Sequence, residues 1–135
     1  MERLKVRTGE REELKDITGE IERIIEKKGW KDGAAHIYVP HTTAGILVNE
    51  GADPDVAGDI LRRLKVLAPL RGDYRHYEGN SDAHIKASLT GSSLLLMVEG
   101  GRLRLGRWQR VFFAEFDGPR QREVWISFLP GESVR

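Results

Sequence analysis

The chain contains no cysteine. Disulfides, thiolate metal centres and thiol nucleophiles are thereby excluded, so any chemistry must rest on histidine, carboxylates, hydroxyls and arginine. Net charge is nearly absent as well, with 22 basic residues against 21 acidic ones and a formal balance of +1. No broad field of one sign points to a nucleic-acid or membrane partner, and neither is expected. Asparagine and glutamine are scarce, two of each, while charged residues make up 32% of the chain, a composition that leans toward a heat-adapted source. The opening MERLKVRTGE lacks the apolar stretch of a signal peptide, and the expected location is the cytoplasm.

What is present reads as one domain over residues 1–135, long enough to bury about two-thirds of its unfolded surface around a single core. LKVRT reads as a first strand. DITGEIERIIEKKG reads as a helix with Ile17, Ile21, Ile24 and Ile25 on one stripe and Gly29 as its stop. AAHIYVP and AGILVNE are short β-branched runs separated by Pro40, which supplies no backbone donor, so two strand segments with a bend at PHTT are expected.

DPDVAGDILRRLKVLAPL has a capping aspartate, Asp53, a proline at the first helical position, and Ile60, Leu61, Leu64 and Leu67 on one side. Asn80 can cap a third helix, SDAHIKASLTG, ended by Gly91. From Ser92 onward the pattern is strands and turns: SLLLMVEGGRLRLG, RWQRVFFAEF, the turn DGPR, and QREVWISFL. The expected class is α+β, with largely antiparallel β-sheet and three packed helices.

The four histidines, His36, His41, His76 and His84, all fall in the middle of the chain. His36 alternates with Tyr38 inside a strand and reads as structural or surface. His41 ends a strand after a proline, where a side chain can project into a cleft while the scaffold stays rigid; a histidine capping a turn is the other reading.

The segment HYEGNSDAH packs His76, Glu78, Asn80, Asp82 and His84 around a glycine and a helix start. Imidazoles and carboxylates suit zinc or another divalent ion, although the spacing matches no standard zinc signature. The same helix start offers N–H groups and a positive dipole end to a phosphate. A polar, capped helix start accounts for Asn80 and Asp82 without any ligand.

Glu50 and Asp59 are candidate holders of magnesium or a cationic group, whereas Asp53 and Asp55 belong to a helix start. Arg102 and Arg104 alternate with Leu103 and Leu105 on a strand, a solvated face or an anion-binding one that Arg120 could join. Trp108 is expected in the core ahead of a ring-stacking role.

Taken together and in this order, PHTTAGILVNEGADPDV, GNSDAHIKASLTGSS and GRLRLGRWQRVFFAEFDGPRQREV resemble the YjbQ family, also called the secondary thiamine-phosphate synthase family. The resemblance runs from about Val39 to Val124. Where that family usually reads Leu-Gly-Thr-Trp-Gln, this chain has Arg107 in place of threonine and keeps Trp108 and Gln109.

The resemblance implies a compact α+β subunit assembled as a homotrimer, with the polar motif residues near subunit contacts. It also implies a weak or secondary thiamine-phosphate synthase activity in at least some members, joining a pyrimidine pyrophosphate to a thiazole phosphate with release of pyrophosphate. On that expectation His41, Glu50 and His84 are catalytic, and Thr42, Thr43, Asn80 and Arg120 bind phosphate. His41, His76, His84 and Asp82 hold a divalent metal, zinc or magnesium.

Two alternatives stay open: a metal-dependent hydrolase or lyase acting on a phosphorylated small molecule, and a metal- or ligand-binding trimer without catalysis. Glu50 lies a strand's length, roughly 17–20 Å, from His41, so the two could meet only across a subunit contact.

Overall fold

The structure is a computed structural model that describes residues 1–132. Its elements run β1 (Glu2–Arg7), β2 (Glu13–Asp16), α1 (Thr18–Lys28), β3 (Gly33–Tyr38), β4 (Ala44–Glu50) and α2 (Pro54–Leu67). They continue with α3 (Ser81–Thr90), β5 (Ser93–Glu99), β6 (Arg102–Leu103), β7 (Gln109–Glu115) and β8 (Gln121–Pro130). The strands form two sheets, one of five in the order β1-β8-β3-β5-β6 and one of three in the order β2-β7-β4. Every pairing is antiparallel. The α+β class with three helices is therefore as the pattern of apolar residues foretold.

One apolar core joins both sheets and α1. Val6, Ile37, Val124 and Ile126 come from the larger sheet, Ile46, Val111 and Phe113 from the smaller, and Ile21 and Ile25 from α1. Ile21 and Ile25 sit four residues apart and are fully buried, each contributing roughly 1.5–3 kcal/mol of apolar burial. The helix stops at Gly29, whose φ of 66° suits a residue without Cβ. The amide of Trp30 then donates to the Ile25 carbonyl at 3.1 Å, and the Trp30 ring stacks on Phe128 at 5.3 Å.

A second apolar cluster lies on the other face of the smaller sheet, where Ala83 and Ala87 of α3 meet Ala114 and Phe116, flanked by Leu14, Leu47, Leu61 and Leu64. β7 is thus covered on both faces. Its residues from Val111 to Glu115 are all buried and read as a continuous run instead of alternating. In α2, Asp53 Oδ1 accepts from the Asp55 amide at 2.9 Å, as its sequence position suggests. Leu61 and Leu64 pack inward, but Leu67 is exposed and no residue of this helix is fully buried.

The strand ELKD at β2 gave no period-two signal, because only Leu14 is apolar; it forms as an edge against β7. The outward face of β5 carries Leu95 and Met97, 67% and 70% exposed. His36 stands on the same face, paired in register with Leu95 on one side and Ser127 on the other. Among the described residues no helix is long and apolar enough to cross a membrane.

Candidate functional site

β3 and β4 belong to different sheets, so residues 39–43 form a bridge between them. The chain leaves one sheet at Tyr38, presents His41, Thr42 and Thr43, and starts the other sheet at Ala44. The turn after α3 holds both ends of the bridge: the Val39 amide donates to the Ser92 carbonyl at 2.8 Å and the Ile46 amide to the Gly91 carbonyl at 3.1 Å. Gly45 makes that approach possible, since a Cβ there would fall on Thr90 Oγ1 and lie 2.7 Å from the Gly91 carbonyl oxygen.

The result is a cavity of about 350 Å³ between bridge and helix, lined by His41, Thr42, His84, Ser88 and Ser92 among others. His41 and His84, 43 residues apart in sequence, thus line one cavity. The Nε2 of His41 accepts a hydrogen bond from the Glu123 amide at 3.0 Å. An amide can only donate, so in the neutral ring the proton sits on Nδ1. Burial, and then the nearby Arg122 guanidinium, push the His41 pKa below its ordinary value and keep the ring neutral. What this imidazole offers a ligand is an N–H donor.

Thr43, expected to bind phosphate, is instead buried in a clamp. Arg122 Nη2 donates to its Oγ1 at 2.9 Å and to its carbonyl at 3.3 Å. The same guanidinium grips Glu115, with Nε 2.9 Å from Oε1 and Nη2 2.5 Å from Oε2. Glu115 also accepts from Thr8 Oγ1 at 2.8 Å and from the Asp117 amide at 3.0 Å. Burial alone would raise the Glu115 pKa; the Arg122, Asp117 and Thr8 bonds outweigh it and hold the carboxyl below its usual range.

Glu115 and Arg122 escaped the reading of the sequence as site residues. The signal was there: a carboxylate inside the apolar run VFFAEF and an arginine inside the alternating QREVWI, of opposite charge and both in strands. Thr42, in contrast, is exposed to the cavity and unengaged by the clamp.

On the far side of His84, the His76 ring meets it edge to face, centroids 5.4 Å apart and planes at 82°. His76 Nε2 lies 3.1 Å from Asn80 Oδ1, and Asn80 Nδ2 donates to Asp117 Oδ2 at 2.9 Å. Arg120 binds the same Asp117 through Nη2 at 3.1 Å and its carbonyl through Nε at 2.8 Å. Asn80 stands at the N-cap of α3 but makes no side-chain cap bond, because its amide is committed to His76 and Asp117. Asn80 and Arg120 are thus brought together, but on a carboxylate.

Two expected site residues are elsewhere. Asp82 is fully buried and receives Arg11 at 3.3 and 3.2 Å and Lys86 at 2.8 Å; it lines neither cavity beside His84. Burial would raise its pKa, yet the bonds from Arg11 and Lys86 hold it below the ordinary range. Lys86, itself 1% exposed, also sits 3.2 Å from Glu12, so the carboxylate of Asp82 neutralises a buried ion cluster and is not free for a metal.

Glu50 ends β4 opposite Gln109, while Ala44 pairs with Glu115 at the other end, so within one chain Glu50 does not join His41. Among the described residues no three His, Asp or Glu side chains gather to hold a metal ion.

Trp108 is not in the core: it is 54% exposed, with the Arg107 guanidinium 4.9 Å from its ring centre. It precedes β7, whose inward positions are already filled by Val111 and Phe113. Arg102 and Arg104 are exposed on either side of the buried Leu103, and Arg104 pairs with Glu99 at 3.4 Å.

The two facing sheets, the bridge and α3 define a small α+β class with a polar seam at the end of its sheets. The chain belongs to the UPF0047 protein YjbQ-like family, whose model matches residues 2–131. It is 52% identical over 124 residues to the UPF0047 protein MJ1081 of Methanocaldococcus jannaschii, covering 92% of this chain and 90% of that one. To the UPF0047 protein YugU of Bacillus subtilis it is 50% identical over 127 residues, covering 93% and 96%.

Among solved structures, an uncharacterized conserved protein of the YjbQ/UPF0047 family from Clostridium acetobutylicum superposes with a TM-score of 0.93 at 47% identity, over 96% of this chain and all of that one. The conserved hypothetical protein TT1486 from Thermus thermophilus does so with a TM-score of 0.90 at 54% identity, over 96% and 100%. None of these names states an activity.

Proposed function

We propose that the chain is an enzyme acting on a small phosphorylated substrate in the cavity between His41 and His84, with thiamine-phosphate synthesis as its specific candidate reaction. The observation that carries this reading is that two histidines, His41 and His84, and the hydroxyl residues Thr42, Ser88 and Ser92 line one cavity of about 350 Å³. That size lies within the range of small-ligand sites.

In the candidate reaction the C–O bond to pyrophosphate breaks and its electron pair leaves with the pyrophosphate. The thiazole ring nitrogen, which bears no proton, forms the new C–N bond at the pyrimidine methylene carbon. What the protein must supply is hydrogen-bond donation to oxygens on which charge builds up. The Nδ1–H of His41 and the Thr42 hydroxyl are suited to it, and both stand on a bridge immobilised by Arg122 and Glu123. Glu50 is left outside this role. A divalent ion belongs to the proposal only as a companion of the pyrophosphate, since one chain offers no three-ligand set among its described residues.

A homotrimer is part of the same reading. The exposed apolar row Leu95, Met97 and Leu129 on the larger sheet supports it as the surface a second copy would cover. A second reading, ligand binding without turnover, is favoured by the fixed donor state of His41, which leaves that ring no lone pair for a base.

Incubation with a pyrimidine pyrophosphate, a thiazole phosphate and magnesium separates the cases. Formation of thiamine phosphate, reduced about a hundredfold or more in His41→Ala, supports the proposal. Pyrophosphate release without coupled product points to hydrolysis, and binding of both compounds without product to a binding protein; either sinks the synthase reading.

A further inference from the structure

The larger sheet turns Val6, Ile37, Val124 and Ile126 to the core, so the residues alternating with them on β1, β3 and β8 face outward. On that outward face we infer a binding surface for single-stranded nucleic acid, made of a stripe of rings on β3 and β8 beside a row of cations on β1. The inference does not depend on the activity proposed above.

The rings are contiguous. His36 and Tyr38 lie 6.3 Å apart between centroids along β3, and Tyr38 meets Trp125, its register partner on β8, at 5.9 Å. Arg3, paired with Trp125 from the β1 side, places its guanidinium 5.5 Å from the indole centre and prolongs the stripe. Tyr38 is 38% exposed, and Trp125 and His36 are half-buried. The Trp125 N–H donates to Glu123 Oε1 at 2.9 Å, which fixes the direction of the indole on the sheet.

Arg3, Lys5 and Arg7 are all exposed on this face. Alternate residues of a strand stand about 6.8 Å apart, a spacing close to that of successive phosphates in an extended single strand. Glu123, 3.9 Å from Arg3, is the one carboxylate on the same face of β1 and β8, so the row keeps an excess of positive charge. Charges on an outer strand also keep it from pairing with another chain, but that role needs no rings beside them. Together the two features supply both parts of single-strand recognition: bases stack on the rings while phosphates follow the cations. A duplex has its base faces already stacked, which favours the single strand. The near-neutral total of +1 conceals this row because it sums over the whole surface. Leu95 and Met97 stand on β5, with β8 and β3 between them and β1.

The test is fluorescence anisotropy of a labelled oligo-uridine of about twelve nucleotides titrated with the full chain, with a duplex of the same length and inorganic polyphosphate as comparison probes. Saturable binding of the single strand is expected, tighter than that of the duplex. Between about 50 and 200 mM salt, log affinity should fall against log salt with a slope of about −2, as for roughly three phosphates neutralised. Tyr38→Ala should weaken the oligonucleotide about tenfold through lost stacking and leave polyphosphate unchanged, whereas Lys5→Glu should weaken both. Both positions are exposed, and circular dichroism of each variant checks that the fold is kept. No saturable binding of the single strand, equal or tighter binding of the duplex, or an oligonucleotide affinity untouched by Tyr38→Ala would overturn the assignment. Absent binding together with an assembly that both variants disperse would make this face a contact between copies instead.

Discussion

The amide of Glu123 donates to Nε2 of His41 across 3.0 Å, and that bond decides which nitrogen the cavity receives. Because the folded-state pKa of His41 is lowered, the ring is neutral in both folded and unfolded chains above the ordinary histidine value, and folding favours the neutral form below it. Two outcomes follow. Nitrogen-15 NMR of the imidazole should show the Nδ1–H tautomer at pH 7, and the His41 share of stability should be complete above about pH 6.5 and lost as pH falls through the lowered pKa. Ligand binding that needs a charged His41, fading as pH rises through 6.5, would contradict the donor role.

Arg122 and Glu115 hold the His41 bridge from beneath, and both are nearly or fully buried. Removing one partner strands the other charge in the interior, so Arg122→Met should cost about 3–5 kcal/mol in chemical denaturation. The paired variant Arg122→Met with Glu115→Gln should recover a large part of that loss. If the single variant is as stable as the parent, the clamp is not holding the bridge.

Acid should act through two carboxylates. Glu115 and Asp82 both have lowered pKa values, each because ionic hydrogen bonds outweigh burial. Their stabilisation is present above the ordinary carboxylate range near pH 4 and is lost as pH falls through the lowered folded values. Tm measured from pH 6 downward should therefore stay nearly flat with respect to these two groups until about pH 4 and then drop. Glu115→Gln should be less stable at neutral pH and show a shallower acid drop.

Gly45 lets the end of α3 lie against β4, and a methyl group there meets Thr90 and the Gly91 carbonyl. Gly45→Ala should cost about 1–3 kcal/mol and move α3 away from the bridge. Chemical-shift changes reaching His41 and His84 would report that movement; a change confined to residue 45 and its neighbours would show that the cavity tolerates it.

The outward row of Leu95 and Met97 gives a test of assembly. Sedimentation of the parent is expected to give a trimer, and Met97→Glu, which removes no buried contact within the chain, should give a folded monomer. A trimer that survives the glutamate would place the contact on another face.

Much of the scaffold could be read from the sequence because local rules acted alone there. Asp53 before Pro54 caps α2, Gly29 and Gly91 end their helices, and Ile21 and Ile25 mark one buried stripe. Where a neighbour decides, the sequence was silent. ELKD becomes a strand only because β7 is beside it, and AAHIYVP and AGILVNE look alike although they enter different sheets.

The site divides in the same way. His41 and His84 were legible as polar residues at element ends. The commitment of Asp82 was half visible, since Lys86 stands one helical turn on, but Arg11 lies 71 residues away. Glu115 and Arg122 required knowing that two strands turn their charges toward the same bridge. Trp108 went astray because it precedes β7, whose inward places are filled by Val111 and Phe113.

The central claim is that His41 and His84 line one cavity built for a phosphorylated ligand, and it is tested most directly by calorimetric titration of the untagged protein with magnesium pyrophosphate. Saturable binding in the parent, lost in both His41→Ala and His84→Ala while each variant keeps its fold, is the predicted result. No binding by the parent, or undiminished binding by both variants, would contradict it.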